Sequence, residues 1–255
     1  GGSARPSGSE SLATAAGFFF NGNAIYDNRY SVDVVYRHEG SSKFGQNQRF
    51  APFWSLGTAW NIPNEKFFGG NKNIQLLKLR GSIGYLGNIS FDPYQALTTY
   101  TYNNRINYIV GAGSVPLAIG NPELKWERTL SKNVGLDLTL FKNRWDLTLD
   151  AYQKTTDNLL LDVSLAPSIG AVTARQNVGE VEYNGIEFQT RVVPIQTKDL
   201  QWSLSLNYSY NRNKVKKVSD ALKALNQKNL GVDALNRGTT PLPLYEEGES
   251  LTALK

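Results

Sequence analysis

The side chains able to do chemistry are few and far apart. Among 255 residues there is one histidine, His38, and no cysteine. Without cysteine there are no disulfides, thiolate zinc sites, iron–sulfur clusters or cysteine nucleophiles, and a lone histidine leaves room for at most one Ser-His-Asp triad. Gly111-Ala-Gly113 lacks the third glycine and the helix of a dinucleotide fingerprint, and no phosphate-binding P-loop is present. Carboxylates at Asp137, Asp146 and Asp150 fall on one parity of their segments, with no sign of a perturbed acid–base pair. Binding chemistry is better represented than catalysis. Residues 87–125 hold Phe91, Tyr94, Tyr100, Tyr102 and Tyr108, together with Asn103, Asn104 and Arg105. Stacking faces beside amides and a guanidinium suit sugars or peptides, so Tyr94, Tyr100, Tyr102, Asn103 and Arg105 are the expected ligand contacts. The competing reading is that these side chains pack the loop on itself or against a partner protein.

What must position them is an all-β framework. Hydrophobic residues are 40% and charged residues 19%, both below globular averages, while thirteen tyrosines and five tryptophans raise the aromatic share. Net charge is +5, but lysines and arginines are scattered, with Lys214, Lys216 and Lys217 the one cluster, so no nucleic-acid partner is expected. No apolar run reaches the ~18 residues of a membrane-spanning helix. No signal peptide is visible, and the absence of methionine marks residue 1 as something other than a translation start.

Strict alternation is the strongest signal. Trp202, Leu204, Leu206, Tyr208 and Tyr210 alternate with Ser203, Ser205, Asn207 and Ser209. Successive strand side chains point to opposite faces, so one face is greasy and the other small and polar. The pattern recurs at residues 30–36, 54–60, 77–85, 134–140, 145–151 and 186–192, with a weaker first strand at 17–26. That predicts about eight antiparallel strands, longer than the usual five or six residues and long enough to cross a bilayer. Short connections (27–29, 142–144, 194–199, with a medium one at 63–73) alternate with long ones (40–49, 87–125, 158–180 and 213 onward). One rim therefore carries tight turns and the other large loops, as in outer-membrane barrels. On that orientation Tyr30, Trp60, Trp145 and Trp202 form a low aromatic row, and Tyr36, Trp54, Tyr208 and Tyr210 a high one, roughly 20 Å apart. Alternation alone leaves a soluble sandwich open, because its apolar face would cover a second sheet.

Several motifs then resemble one family. Arg37-His-Glu-Gly40-Ser-Ser-Lys-Phe-Gly45 resembles the R-x-D/E-G-S-S-x-F-G signature of SusC/RagA-like TonB-dependent transporters of Bacteroidetes. Residues 53–60 look like its P-S-x-S-x-G-W strand, and residues 76–88, ending in Asn88, are similar to L-K-L-R-x-S-x-G-x-x-G-N. Asn121-Pro122-Glu-Leu-Lys125-Trp126-Glu127 matches N-P-x-L-K-W-E, the most specific of the set. Asn177-Val-Gly-Glu180, Asn184-Gly185-Ile-Glu187 and residues 202–215 complete an ordered series.

The resemblance implies a 22-stranded outer-membrane barrel with an N-terminal plug. It implies import of oligosaccharides or peptides, energised through TonB, with a SusD-like surface lipoprotein as lid and the long loops extracellular. No enzyme activity and no cofactor are expected. Residues 1–255 read as part of the β-barrel domain, about eight of its strands, with plug and remaining strands outside this sequence. Gly40, Gly45, Asn88, Asn121, Pro122, Lys125, Trp126, Glu127, Asn184 and Gly185 are expected to serve structure rather than ligand contact. Gly40, Gly45, Gly87 and Gly179 fall at strand-to-loop transitions, where unusual backbone angles are expected. His38 falls on the lipid-facing parity, which argues against catalysis. The alternatives are a self-contained eight-stranded barrel acting as an adhesin or anchor, and a soluble carbohydrate-binding sandwich. Pairing of the first strand with the last would favour the former.

Overall fold

The structure, a computed structural model, describes residues 10–89, 91–108, 111–164, 173–220, 222–224, 226–227 and 245–251. Eight long antiparallel strands form one sheet: β1 (Ala15–Tyr26), β2 (Tyr30–Ser41), β3 (Phe50–Asn61), β4 (Ile74–Asn88), β7 (Glu127–Leu140), β8 (Trp145–Asp157), β11 (Gly179–Gln196) and β12 (Gln201–Val218). Their spatial order is their chain order. Two hairpins stand apart from this sheet, β5 (Thr99–Tyr108) with β6 (Gly111–Ala118), and β9 (Leu160–Ser164) with β10 (Thr173–Asn177). The expected eight strands are all present, and each runs further than its alternating segment. The two hairpins lie within connections read from sequence as plain loops. Nothing in their composition alternates cleanly enough to expose them.

Tight turns join the strands at one end. Asp27 and Asn28 have φ of 50° and 53°, and the Arg29 amide donates to the Tyr26 carbonyl at 2.9 Å. Asp and Asn tolerate this left-handed pair, whose twist matches that of the flanking strands. At the same end, Pro194 lies between Val192 and Ile195, where the β11–β12 register shifts, so its missing N–H costs no ladder bond. Arg144 caps that irregularity, donating to the Val193 and Pro194 carbonyls at 3.2 and 2.7 Å. Glu65, in the single-turn helices between β3 and β4, gathers the Tyr30 hydroxyl, Trp60 Nε1 (3.0 Å) and Arg29 Nη1 (3.2 Å).

The cross-strand register separates two faces. Tyr30, Val32, Val34 and Tyr36 lie opposite Trp60, Thr58, Leu56 and Trp54, which lie opposite Leu79, Gly81, Ile83 and Tyr85. The row continues through Leu136, Val134, Lys132 and Leu130 into β8, β11 and β12. This face is bare: Val134 is 65% and Leu206 60% exposed. Among the described residues no second sheet covers it, so the sandwich alternative has no partner layer. Nor does β1 pair with β12. The self-contained eight-stranded barrel is therefore corrected to an open section of wall. No helix among the described residues is long and apolar enough to cross a membrane, so any crossing falls to the strands.

Candidate functional site

The opposite face carries the polar side chains. Arg80 on β4 reaches over Gly135 and grips Asp137 with two hydrogen bonds, at 2.8 and 2.9 Å, and Asp150 with a third at 3.1 Å. A Cβ on Gly135 would come within 2.7 Å of the guanidinium carbon and 2.5 Å of an Asp150 oxygen, so that glycine makes room for the bridge. Thr139 donates to Asp146 at 2.9 Å. The sequence placed the three aspartates on one face but gave no reason to expect the cation between them. That signal lay in strand register, because Lys78 pairs with Asp137 and Arg80 with Gly135. Next to this bridge is a polar hollow of about 380 Å3 lined by Thr148, Asp150, Glu187, Gln189, Asn207 and Ser209 among others.

The long connections meet at the other rim. Phe44 stacks on Trp126 at 4.3 Å between ring centroids and meets Phe91 edge-on at 5.2 Å, while Phe53 meets Trp126 at 5.2 Å. Leu124, Ala51, Ala96 and Leu160 complete this small core. Phe91 is thus buried, not presented to a ligand. A second cluster gathers Val163, Val178, Val215, Val218 and Leu222.

The motif residues are the stitching between these loops. The Gly45 amide donates to the Leu124 carbonyl at 3.1 Å, and a Cβ on Gly45 would sit 1.7 Å from the Pro122 carbonyl oxygen. Trp126 Nε1 donates to the Arg49 carbonyl at 2.9 Å. Asn121 accepts from the Glu123 amide at 3.0 Å and donates to the Arg175 carbonyl at 3.2 Å. Asn177 ties the same turn from the next loop: it accepts from the Lys125 amide (3.0 Å) and donates to the Lys125 and Asn158 carbonyls (3.1 and 2.9 Å). Glu127 accepts from Asn88 at 3.4 Å and from the Leu160 amide at 3.3 Å.

The glycines of these motifs have a different cause from the one expected. None of Gly40, Gly45, Gly87 and Gly179 has a positive φ. Each instead lies where another group presses close. The Phe50 ring covers Gly40, the Phe53 ring covers Gly87, and the Lys217 carbonyl abuts Gly179. Gly185 likewise lies under the Tyr152 ring, next to Asn184, which donates to Glu182 at 2.9 Å.

Of the expected ligand contacts, the side chains of Tyr94, Tyr100 and Tyr102 are described. Tyr100 and Tyr102 project from β5 at 64% and 78% exposure. Tyr94 has φ of 71°, and its hydroxyl accepts from the Leu12 amide at 2.9 Å. For Asn103 and Arg105 only the backbone, on β5, is described. What the fold does assemble is a rim cleft of about 490 Å3 between the β6–β7 turn and the β8–β9 turn with β10, with Asn121, Glu123, Lys125, Asn158, Gln176 and Asn177 among its lining. Amides alternate there with one cation and one carboxylate, a set that satisfies hydroxyls or peptide groups equally well. Gln176 and Asn158 carried no sequence signal, because nothing in their own segments links them to residues 121–125. His38 stacks on Phe50 at 5.6 Å on the bare apolar face, far from chemistry of any kind.

The family model described as TonB dependent receptor-like, beta-barrel matches residues 2–243. TonB-dependent receptor P39 of Formosa agariphila is 34% identical over 229 residues, 89% of this chain and 20% of the relative. TonB-dependent receptor SusC of Bacteroides thetaiotaomicron is 34% identical over 213 residues, 81% of this chain and 21% of the relative. This chain thus spans about a fifth of the length of the curated relatives it matches. Among solved structures, the RagAB peptide transporter superposes with a TM-score of 0.76 at 31% identity, over 82% of this chain and 23% of that one. The siderophore receptor PirA of Pseudomonas aeruginosa, at 17% identity and a TM-score of 0.51, shares the fold alone. An open sheet with one apolar face, one polar face and motif-stitched loops at one rim is thus matched by family, by relatives and by structure: the chain belongs to the TonB-dependent receptor-like β-barrel family, on its SusC- and RagA-like side.

Proposed function

We propose that this chain is a section of the wall and rim of an outer-membrane active transporter that imports oligosaccharides or peptides. Energy comes through TonB, and a SusD-like surface lipoprotein closes the long-loop side, which is extracellular. The observation that carries the reading is the inequality of the two sheet faces. A single layer with Val134 and Leu206 bare on one side, and the Arg80–Asp137–Asp150 bridge on the other, fits a boundary between hydrocarbon and a water-filled lumen. Likeness to SusC and to the RagAB peptide transporter supports nutrient import over an adhesin's anchor. The wall's part is passive: it holds the lumen open and presents Tyr100, Tyr102 and the amide-lined rim cleft where substrate and lid arrive.

The orientation has a direct test, since this stretch has no cysteine to remove. In intact cells, Tyr102→Cys reacts with a membrane-impermeant maleimide, whereas Lys142→Cys reacts only after the outer membrane is permeabilised. The reverse pattern overturns the proposal. Uptake of the oligomer then falls in a Tyr100→Ala/Tyr102→Ala variant whose surface level is unchanged.

A further inference from the structure

On the bare face the polarity changes abruptly along one line of cross-strand partners. Lys132, Gln153, Asn184 and Arg212 are successive partners on β7, β8, β11 and β12. The next outward-facing line toward the tight-turn end is Val134, Ala151, Ile186 and Tyr210. With strands spaced ~4.8 Å apart, the two cations lie roughly 14 Å from one another along that line. Between the two lines a hollow of about 800 Å3 crosses the strands. Gly81 and Ala151 make room for it as an open trough, and Val134, Ile186 and Tyr210 keep it apolar.

The rim cations are unspent. Neither Lys132 nor Arg212 makes an ion pair among the described residues. The nearby carboxylate, Glu182, is already engaged by Lys216 at 3.1 Å and by the Asn184 amide. An apolar trough edged on one side by two unpaired cations is complementary to a molecule with acyl chains and an anionic head.

We propose that this hollow binds a phosphorylated lipid of the outer leaflet, its chains lying over Ala151 and Val134 and its phosphate held between Lys132 and Arg212. The proposal rests on the long-loop rim being extracellular, as above. A second copy of the chain is a poorer occupant. A two-fold contact here would set these cations against those of its mate, while the nearest carboxylate, Glu182, is already paired with Lys216.

The test uses the intact receptor in neutral detergent, with native mass spectrometry as readout. The probes are monophosphorylated lipid A, its dephosphorylated form, phosphatidylcholine and inorganic phosphate. The wild type is expected to retain the phosphorylated lipid in preference to the other two lipids, with inorganic phosphate a poor competitor. Lys132→Gln/Arg212→Gln weakens retention roughly 30-fold, the expectation for two cations at an anionic lipid surface. Ala151→Trp fills the trough and lowers retention with both cations in place. Equal retention of phosphorylated and dephosphorylated lipid A by the wild type overturns the proposal without any variant. So does full displacement by inorganic phosphate, which marks a free-anion site, or self-crosslinking of Ile186→Cys, which marks a dimer face. Nutrient uptake and maleimide labelling, measured on the same preparations, report separately on the orientation and transport reading.

Discussion

At the long-loop rim Phe44, Phe53, Leu124 and Trp126 are all less than 5% exposed, packed on one another from two loops and the start of β3. In the middle of the wall Val134 and Leu206 stand clear on one face, and the other face is held by Arg80 between two aspartates. Of the buried apolar side chains, all but a few such as Val193 belong to the rim. The rim is thus built as a soluble protein is, by removing apolar surface from water. Among the described residues the wall gathers no side-chain core. Its strands are held by backbone ladders and by whatever covers the apolar face, which is why the same residues would be unstable as a free sheet in water.

That contrast can be broken from either side. Trp126→Ala should have the largest effect, about 3–5 kcal/mol for an emptied aromatic site. Hydrogen exchange should show it as lost protection of residues 42–48 and 121–127, with mid-strand amides unchanged. If mid-strand protection collapses too, rim and wall are one cooperative unit. Gly45→Ala follows at about 1–3 kcal/mol, since backbone rather than a flexible side chain meets the new methyl. Its mark is displacement of the 121–125 turn, read by proteolysis of the rim in assembled receptor. Arg80→Ala tests the wall: two aspartates lose their shared cation, but the partial exposure of all three side chains limits the cost to about 1–2 kcal/mol. Denaturant unfolding of the assembled barrel measures it, and a further Asp150→Asn change should recover part of the loss.

The smallest effect lies at the tight-turn end. Hydrogen bonding from Tyr30 holds the Glu65 carboxyl below the ordinary carboxylate range, with Trp60 and Arg29 adding to it against the opposing pull of desolvation. A depressed folded-state pKa stabilises above the unfolded value and is lost as pH falls through the lowered one. Exchange protection of the Asn61 amide, which donates to Arg29, should therefore weaken in acid, and Glu65→Gln should remove that dependence.

Much of the wall was legible in the sequence, because period two and the parity of the apolar residues are local properties. Residues 202–210 announce their strand unaided. The rim was legible only as motifs. Asn121-Pro-Glu-Leu-Lys-Trp-Glu127 was expected to be structural, yet its partners Gly45, Arg49, Arg175 and Asn177 are 50 to 80 residues away, and no local pattern encodes such pairings. The glycines show the same limit. Their positions were plain, but their reason is a ring or carbonyl from elsewhere in the chain. The hairpins β5–β6 and β9–β10 escaped notice because neither 99–118 nor 160–177 carries a sustained apolar–polar alternation, and β9–β10 buries Leu160, Val163 and Ala174 at irregular spacing. The Glu65 clasp was missed because one carboxylate in a polar connection looks like any other.

The agreement between spatial and chain order in the main sheet has a kinetic consequence. No strand has to wait for a distant one. Across turns of three and four residues, β1 meets β2 and β7 meets β8 at small entropic cost, so hairpins close first. Joining β4 to β7 must close a connection of 38 residues, about 2 kcal/mol dearer in loop entropy than a three-residue turn. The aromatic rim that spans that connection therefore forms late, as a clasp over hairpins already made, and assembly advances two strands at a time.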